Sequence, residues 1–349
     1  MPRRARLKPW IGIALAAAVA AACAEPPPEI APPPPPAPPS VALSPKLVEL
    51  ASAYRFYMVR ATAITPDFAD GEGVAKSLRE GASYEPGQLV RGAIAYAAVA
   101  ALQDKTFVDG VRQYAKDPAT RQQVTYELLS NPRYVLGLPG VDSAAGLVVA
   151  GLGGQAQALY DEGKAVKQSA YDLQRQAWSK KDVIGRDERL AGAKSLSSSA
   201  MVGDAGETAQ LMQASSGAPV LGLTAYPVAQ PYTPTVVRGL AIAALAALGQ
   251  AGDDHLETVL GLMEEPNVGG CMRSSKLNLY QCLAVARPNY EDIFCLGQHA
   301  MMDTGRCLIR ASGLPEPYEP RFVPTQESVD KGYPAKKKKP PARKTKKKS

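Results

Sequence analysis

Between residues 44 and 310 apolar side chains return every three or four positions, the spacing that lines one face of an α-helix, while alternating β-branched runs closed by hairpin turns are scarce. That pattern predicts an all-α body. Ser44-Pro45 offers a hydroxyl to cap a helix and a proline whose missing N–H costs nothing in the first turn; Leu47, Leu50, Ala51, Tyr54 and Met58 follow at helical spacing. A long central helix is expected over residues 143–181, where Leu152, Leu159, Val166 and Leu173 recur every seven residues and Ala156, Gly163, Ala170 and Ala177 stand four further on. Large residues beside small ones let a neighbouring helix come close, so this seam is read as part of a buried core helix rather than an oligomer contact. Asp254 and Glu257 have the spacing of a capping box ahead of an apolar stripe of Leu256, Val259, Leu260 and Met263, with Pro266 expected to stop that helix.

One segment returns later in the chain. Tyr84-Glu85-Pro86-Gly87-Gln88-Leu89-Val90-Arg91-Gly92 precedes an alanine-rich run, and Tyr232-Thr233-Pro234-Thr235-Val236-Val237-Arg238-Gly239 precedes another. Both runs break at a short polar loop, resume as an amphipathic helix and end at an acid-proline pair, Asp117-Pro118 and Glu265-Pro266. Two related helical hairpins are therefore expected near 84–118 and 232–266, a duplication of one supersecondary unit. Between them, residues 182–231 turn to Gly, Ser, Ala and Pro, as in Ser195-Leu196-Ser197-Ser198-Ser199, and predict a long, partly mobile connection.

Composition changes the picture at the two ends. The net charge of the 349 residues is +7, but residues 336–349 carry nine Lys/Arg and no acid, and the first eight residues carry four more. The stretch between is net acidic, at about −6, which argues against a nucleic-acid-binding body. At the N-terminus Arg3, Arg4, Arg6 and Lys8 precede thirteen apolar residues, 10–22. Such a helix is about 20 Å long, short of the roughly 30 Å core of a bilayer, so residues 1–22 read as a cleaved export signal rather than a span. From Pro315 onward prolines and then the lysine run describe a tail, 311–349, too charged and too poor in large apolar residues to bury anything.

The run Ala20-Ala21-Ala22-Cys23 resembles the lipobox of bacterial lipoproteins, with alanine at position 20 where that class usually has leucine. The resemblance covers the first 25 residues and implies that Cys23 is acylated and becomes the mature N-terminus. Ala24 lacks the aspartate associated with retention at the inner membrane, so the resemblance implies an outer-membrane lipoprotein facing the periplasm. Ala22-Cys23-Ala24 also satisfies ordinary signal peptidase, which would leave a soluble periplasmic protein starting at Glu25. Residues 23–43 then hold the lipid site and a linker; ten prolines within 26–39 make it a stiff polyproline spacer of about 40 Å.

Export makes the remaining four cysteines, Cys271, Cys282, Cys295 and Cys307, a disulfide set. If 274–286 and 290–303 are antiparallel helices turning at Pro288-Asn289, facing positions share a constant index sum. The sums for Cys282 with Cys295 and for Cys271 with Cys307 are 577 and 578, which predicts nested bridges closing a hairpin over 271–307. A metal site from Cys295, His299 and Cys307 is the competing arrangement; it lacks close C-x-x-C spacing, and thiols in an oxidising space pair first.

Catalytic motifs are thin. G-x-S-x-G, H-E-x-x-H, S-x-x-K and C-x-x-C-H are all missing, and the glycine-rich run 146–154 lacks the Lys-Ser/Thr of a phosphate loop, so neither cofactor nor metal is implied. Of the two histidines, His299 stands four residues before Asp303, where a carboxylate can back an imidazole on one helix face. His255 lies among Asp253, Asp254 and Glu257 at a helix start, where acids complement the dipole. Arg91 and Arg238, at matching places in the two hairpins, are expected to bond carbonyls or carboxylates within each hairpin.

Together these features give an exported, lipid-anchored envelope protein that acts as a non-catalytic scaffold or interaction module. Its tail would hold an anionic envelope polymer or lipid through Lys336, Lys337, Lys338, Lys339, Arg343, Lys344, Lys346, Lys347 and Lys348. The alternative is a periplasmic hydrolase using His299 and Asp303. A further protein partner is left unspecified.

Overall fold

In the computed structural model, which describes residue 37 and residues 39–318, thirteen α-helices follow one another with no strand among the described residues. They are α1 (Pro45–Thr62), α2 (Gly71–Ala82), α3 (Pro86–Ala101), α4 (Lys105–Arg112), α5 (Pro118–Ser130), α6 (Val141–Leu173), α7 (Arg186–Ser198), α8 (Ala205–Ser215), α9 (Pro234–Ala247), α10 (Leu256–Leu262), α11 (Pro266–Val285), α12 (Asn289–Cys295) and α13 (Asp303–Ser312). A π-helical segment, Leu296–Met302, joins the last two. The body belongs to a unit that begins at residue 38. The signal segment, Cys23, nearly all of the linker and the basic run lie outside the described residues.

Five helices start on the same chemistry. Ser44, Glu85, Asp117, Thr233 and Glu265 each cap a helix whose first residue is proline, and each side chain accepts a hydrogen bond from a backbone N–H of the first turn. Proline fits there because the first turn has no use for its N–H. The same reasoning corrects the reading of Asp117-Pro118 and Glu265-Pro266 as hairpin ends: both pairs open the next helix, and Pro266 begins α11 instead of stopping α10. The expected capping box at Asp254 and Glu257 does not form either. Asp254 sits inside a 3₁₀ turn, Asp253–His255, and neighbouring Asp253 instead accepts the Ser44 hydroxyl at 2.6 Å.

The core is a stack of alanine-rich helices. α3 packs against α1 on one side and α9 on another, with α6 also against it, and nearly every residue of α3 and α9 is buried. Close approach depends on glycine: a Cβ at Gly92 would lie 2.6 Å from the Leu50 carbonyl oxygen of α1, and one at Gly239 would lie 2.4 Å from the Ala97 Cβ of α3. The glycine-rich run 146–154 lies within α6, and the chain packs onto it at Gly146, Gly151 and Gly153.

The small-residue seam of α6 finds its partner within the chain, in the rod formed by α12, the π segment and α13. Gly297 lies on the backbone of Gly163 and Lys167, and Gly305 on that of Ala156 and Tyr160. The α6 contacts are spaced by seven residues and the glycines by eight. A π turn holds one extra residue, so the π segment lets both glycines face α6. The central helix is shorter than expected, ending at Leu173 rather than 181.

Residues 182–231 depart most from expectation, because they contain α7 and α8. α7 packs on α2 and α11, and α8 on α1 and α3; the serine run 195–199 lies at the end of α7, where Ser197 and Ser198 back-bond to carbonyls four residues earlier. The body also extends past its expected limits of 44 and 310. Ala42 N–H donates to the Ala246 carbonyl at 3.0 Å, α13 runs to Ser312, and Leu314 packs against Gly153.

Cys271 pairs with Cys307 and Cys282 with Cys295, with Cα separations of 5.8 and 5.7 Å. This nested arrangement follows from α11 and the α12–α13 rod running antiparallel about a turn at Ala286–Pro288. Both helices are longer than the segments 274–286 and 290–303.

Candidate functional site

The π segment carries His299. Its ring Nδ1 is 2.8 Å from Asp303 Oδ2, and the other Asp303 oxygen accepts from Gln298 Nε2 at 2.9 Å, with an Arg306 nitrogen at 4.0 Å. The sequence spacing thus brings the two predicted residues together, and the half-buried carboxylate fixes the imidazole in one orientation. Such a dyad has the geometry of an imidazole backed by a carboxylate. The hydroxyls nearest to it are bonded to one another and to the backbone. Ser275 Oγ donates to the His299 carbonyl at 2.7 Å and lies 3.0 Å from Thr304 Oγ1, which lies 2.7 Å from the Tyr84 hydroxyl. With the Ser275 proton on a carbonyl, the consistent order is Tyr84 donating to Thr304 and Thr304 to Ser275. Burial pushes the Tyr84 phenol up to about 12, so it keeps its proton at neutral pH.

Behind this chain lies Lys276, only 4% exposed. Its Nζ donates to the Ala82 carbonyl at 2.7 Å and sits 3.4 Å from the centre of the Tyr84 ring. Desolvation drives its ammonium well below the usual value of 10.5, opposed by the charge of Glu85. Between the lowered folded value and 10.5 the unfolded chain binds more protons than the folded one, so stability rises with pH across that window. Lys276→Met is expected to stabilise the fold by about 1–2 kcal/mol at neutral pH, because the Tyr84 N–H still donates to the Ala82 carbonyl at 2.9 Å. The gain should shrink as pH approaches 10.5. Urea unfolding at neutral and alkaline pH measures it; a loss of stability at neutral pH would show that the amine contributes more than its burial costs.

The repeated arginines have different partners. Arg238 donates to the Leu262 carbonyl at 2.8 Å, within its own hairpin, while Arg91 reaches across to Glu264 of the other at 3.4 Å. The second contact corrects the expectation that each arginine stays within its hairpin; the polar loop after α10 lies beside α3 because α3 and α9 pack together. All three members of the Cys295–His299–Cys307 alternative are also accounted for: both thiols are in disulfides and the imidazole is on Asp303. Cys23 and Lys336 through Lys348 lie outside the described residues.

Two features escaped sequence reasoning. The first is a clamp on the C-terminus of α11. Arg189 of α7 pairs with Asp292 and donates to the Leu283 carbonyl, while Arg186 donates to the carbonyls of Ala286 and Ala284 at 2.8 and 3.1 Å. These carbonyls have no partner inside a helix that is ending. The second is a surface groove where the ends of α6 and α11 meet α12. One cavity of about 430 Å³ is lined by Tyr171, Val285, Tyr290, Glu291 and Phe294. An adjoining one of about 450 Å³ shares Val285, Tyr290 and Glu291 and adds Lys180, Asp182 and Arg287. No sequence signal marks either feature, since residues from two distant segments build each. No family model matches this sequence, and neither a curated protein nor a solved structure matches it.

Proposed function

We propose that this chain is an exported envelope protein, anchored by lipid at Cys23 on a proline spacer, whose disulfide-braced helical body serves as a non-catalytic scaffold or interaction module. The observation that carries the reading is the division of the five cysteines. Four are consumed in two bridges, which form and persist in oxidising compartments, and the fifth stands at the end of the signal-like segment behind three alanines. The basic run then offers a second attachment. Near an anionic surface each lysine or arginine contributes about 1 kcal/mol, and a lipid plus a charged tail acts as two linked weak contacts. Lipopolysaccharide phosphates, anionic lipid and peptidoglycan carboxylates supply such a surface.

The intact mass of the mature protein from its native membranes tests the anchor. The expected mass begins at Cys23 with acyl chains and rises by the mass of four hydrogens on reduction; a lipid-free chain starting at Glu25 would overturn the anchor. The tail is tested by binding to purified envelope fractions. Binding should weaken steeply as salt rises and be lost on deletion of 336–349, whereas tail-independent, salt-insensitive binding would refute its role.

A further inference from the structure

The groove beside α12 exposes apolar surface that the body leaves uncovered. Val285 is 75% and Tyr171 49% exposed, and Phe294 meets the Tyr171 ring edge-on at 6.2 Å. Among the described residues Glu291 is the only charged one lining the apolar cavity, which continues into the neighbouring one with its mixed charges. An elongated depression with aromatic walls and a polar extension suits an extended peptide.

The position of the chain end identifies one. Leu314 sits against Gly153 of α6. Ala170, at the groove, is 17 residues further along the same helix, about 26 Å at 1.5 Å per residue. After Gly313, in the left-handed conformation at φ 86°, the chain leaves the axis of α13, and Glu316 turns onto Arg310 at 2.8 Å. From Leu314 an extended chain covers about 26 Å in roughly eight residues, which arrives at Phe322. Residues 319–349 contain one adjacent pair of large apolar side chains, Phe322-Val323, bracketed by Pro320 and Pro324 and preceded by Arg321. The prolines favour the extended conformation that a groove accepts.

We propose that Pro320–Pro324 of the same chain docks in this groove, with Phe322 and Val323 against Tyr171, Val285 and Phe294, and Arg321 beside Glu291. A tether this short holds the segment at a local concentration of about 1 mM, so weak intrinsic affinity suffices. The docking is independent of the envelope reading. It sets the point on the body from which the basic run departs.

Amide hydrogen exchange on the disulfide-intact chain tests the proposal, read at 170–174 and 283–294. Ending the chain at Tyr318, or the double change F322S/V323S, should speed exchange there about tenfold, while ending it at Ala335 should leave protection intact. Equal exchange in all four chains overturns the proposal. So does loss of protection on ending at Ala335, which would make the basic run the occupant, or protection that grows with protein concentration, which would make it a second copy. The buried core helix α3, read at 93–101, serves as the control for global destabilisation. If it also changes, a synthetic 318–328 peptide added at about 1 mM to the chain ending at Tyr318 decides the matter: restored protection supports the docking, and none overturns it.

Discussion

Arg189→Ala is expected to lower the stability of the folded chain by about 3–5 kcal/mol, because it leaves the Asp292 carboxylate charged and buried without a partner. Arg189 and Asp292 are 7% and 2% exposed, so solvent cannot replace the missing guanidinium. The Leu283 carbonyl loses its donor in the same step. Burial already pushes the Asp292 carboxyl up in spite of Arg189, and removing the cation raises it further. In the variant the folded state therefore holds a proton that the unfolded state releases above about pH 4, so stability falls as pH rises through that window. The deficit should be large at neutral pH and narrow in acid. Replacing both partners, as in Arg189→Met with Asp292→Leu, removes the uncompensated charge and should cost much less than the two single changes summed. Urea unfolding of the four proteins with disulfides intact gives the full cycle. A single-variant cost below about 1 kcal/mol would show that α7 is held by its apolar contacts alone.

Removing the outer bridge, by Cys271→Ala with Cys307→Ala, should cost about 3 kcal/mol, as should removing the inner one. Raw loop lengths would rank them differently, since the sequence separations are 36 and 13. The bridges are nested, however, so with Cys282–Cys295 closed only about 23 residues of the outer loop gain freedom in the unfolded chain. Loss of both should approach about 6 kcal/mol and release the α12–α13 rod from α11 first, because α6 still packs against the rod. Thermal unfolding of the two double-alanine variants and of the reduced protein measures this. An outer bridge worth under about 1 kcal/mol would mean that the unfolded chain keeps α11 and the rod close together without it.

Much of the candidate site could be read along the chain. His299 and Asp303 meet because four residues make one helical turn, and a π segment still brings them within 2.8 Å. The nested cysteines followed from index sums, which hold for any antiparallel helical pair whatever its neighbours. Lys276 was not legible. Next to Ser275 on an amphipathic helix it looks like any lysine at a polar position, and only the arrival of Ala82 and Tyr84 from nearly two hundred residues away buries it. The α7 segment misled for the same reason. Its Gly, Ser and Ala content has little apolar stripe of its own, and it is ordered by carbonyls that α11 leaves open at its end.

The division runs along the range of the forces involved. Helix class depends on groups within a turn or two of one another and the pairing of cysteines on the register of one antiparallel hairpin, where spacing alone sets geometry, and these are written in the chain. The acid-proline pairs at 117–118 and 265–266, by contrast, read as helix ends although they open helices. The burial of Lys276, the register that demands a π segment against α6, and the clamp that orders 182–198 depend on surfaces meeting from distant segments. Desolvation and close packing act only once those surfaces have met, so the tertiary structure alone decided them.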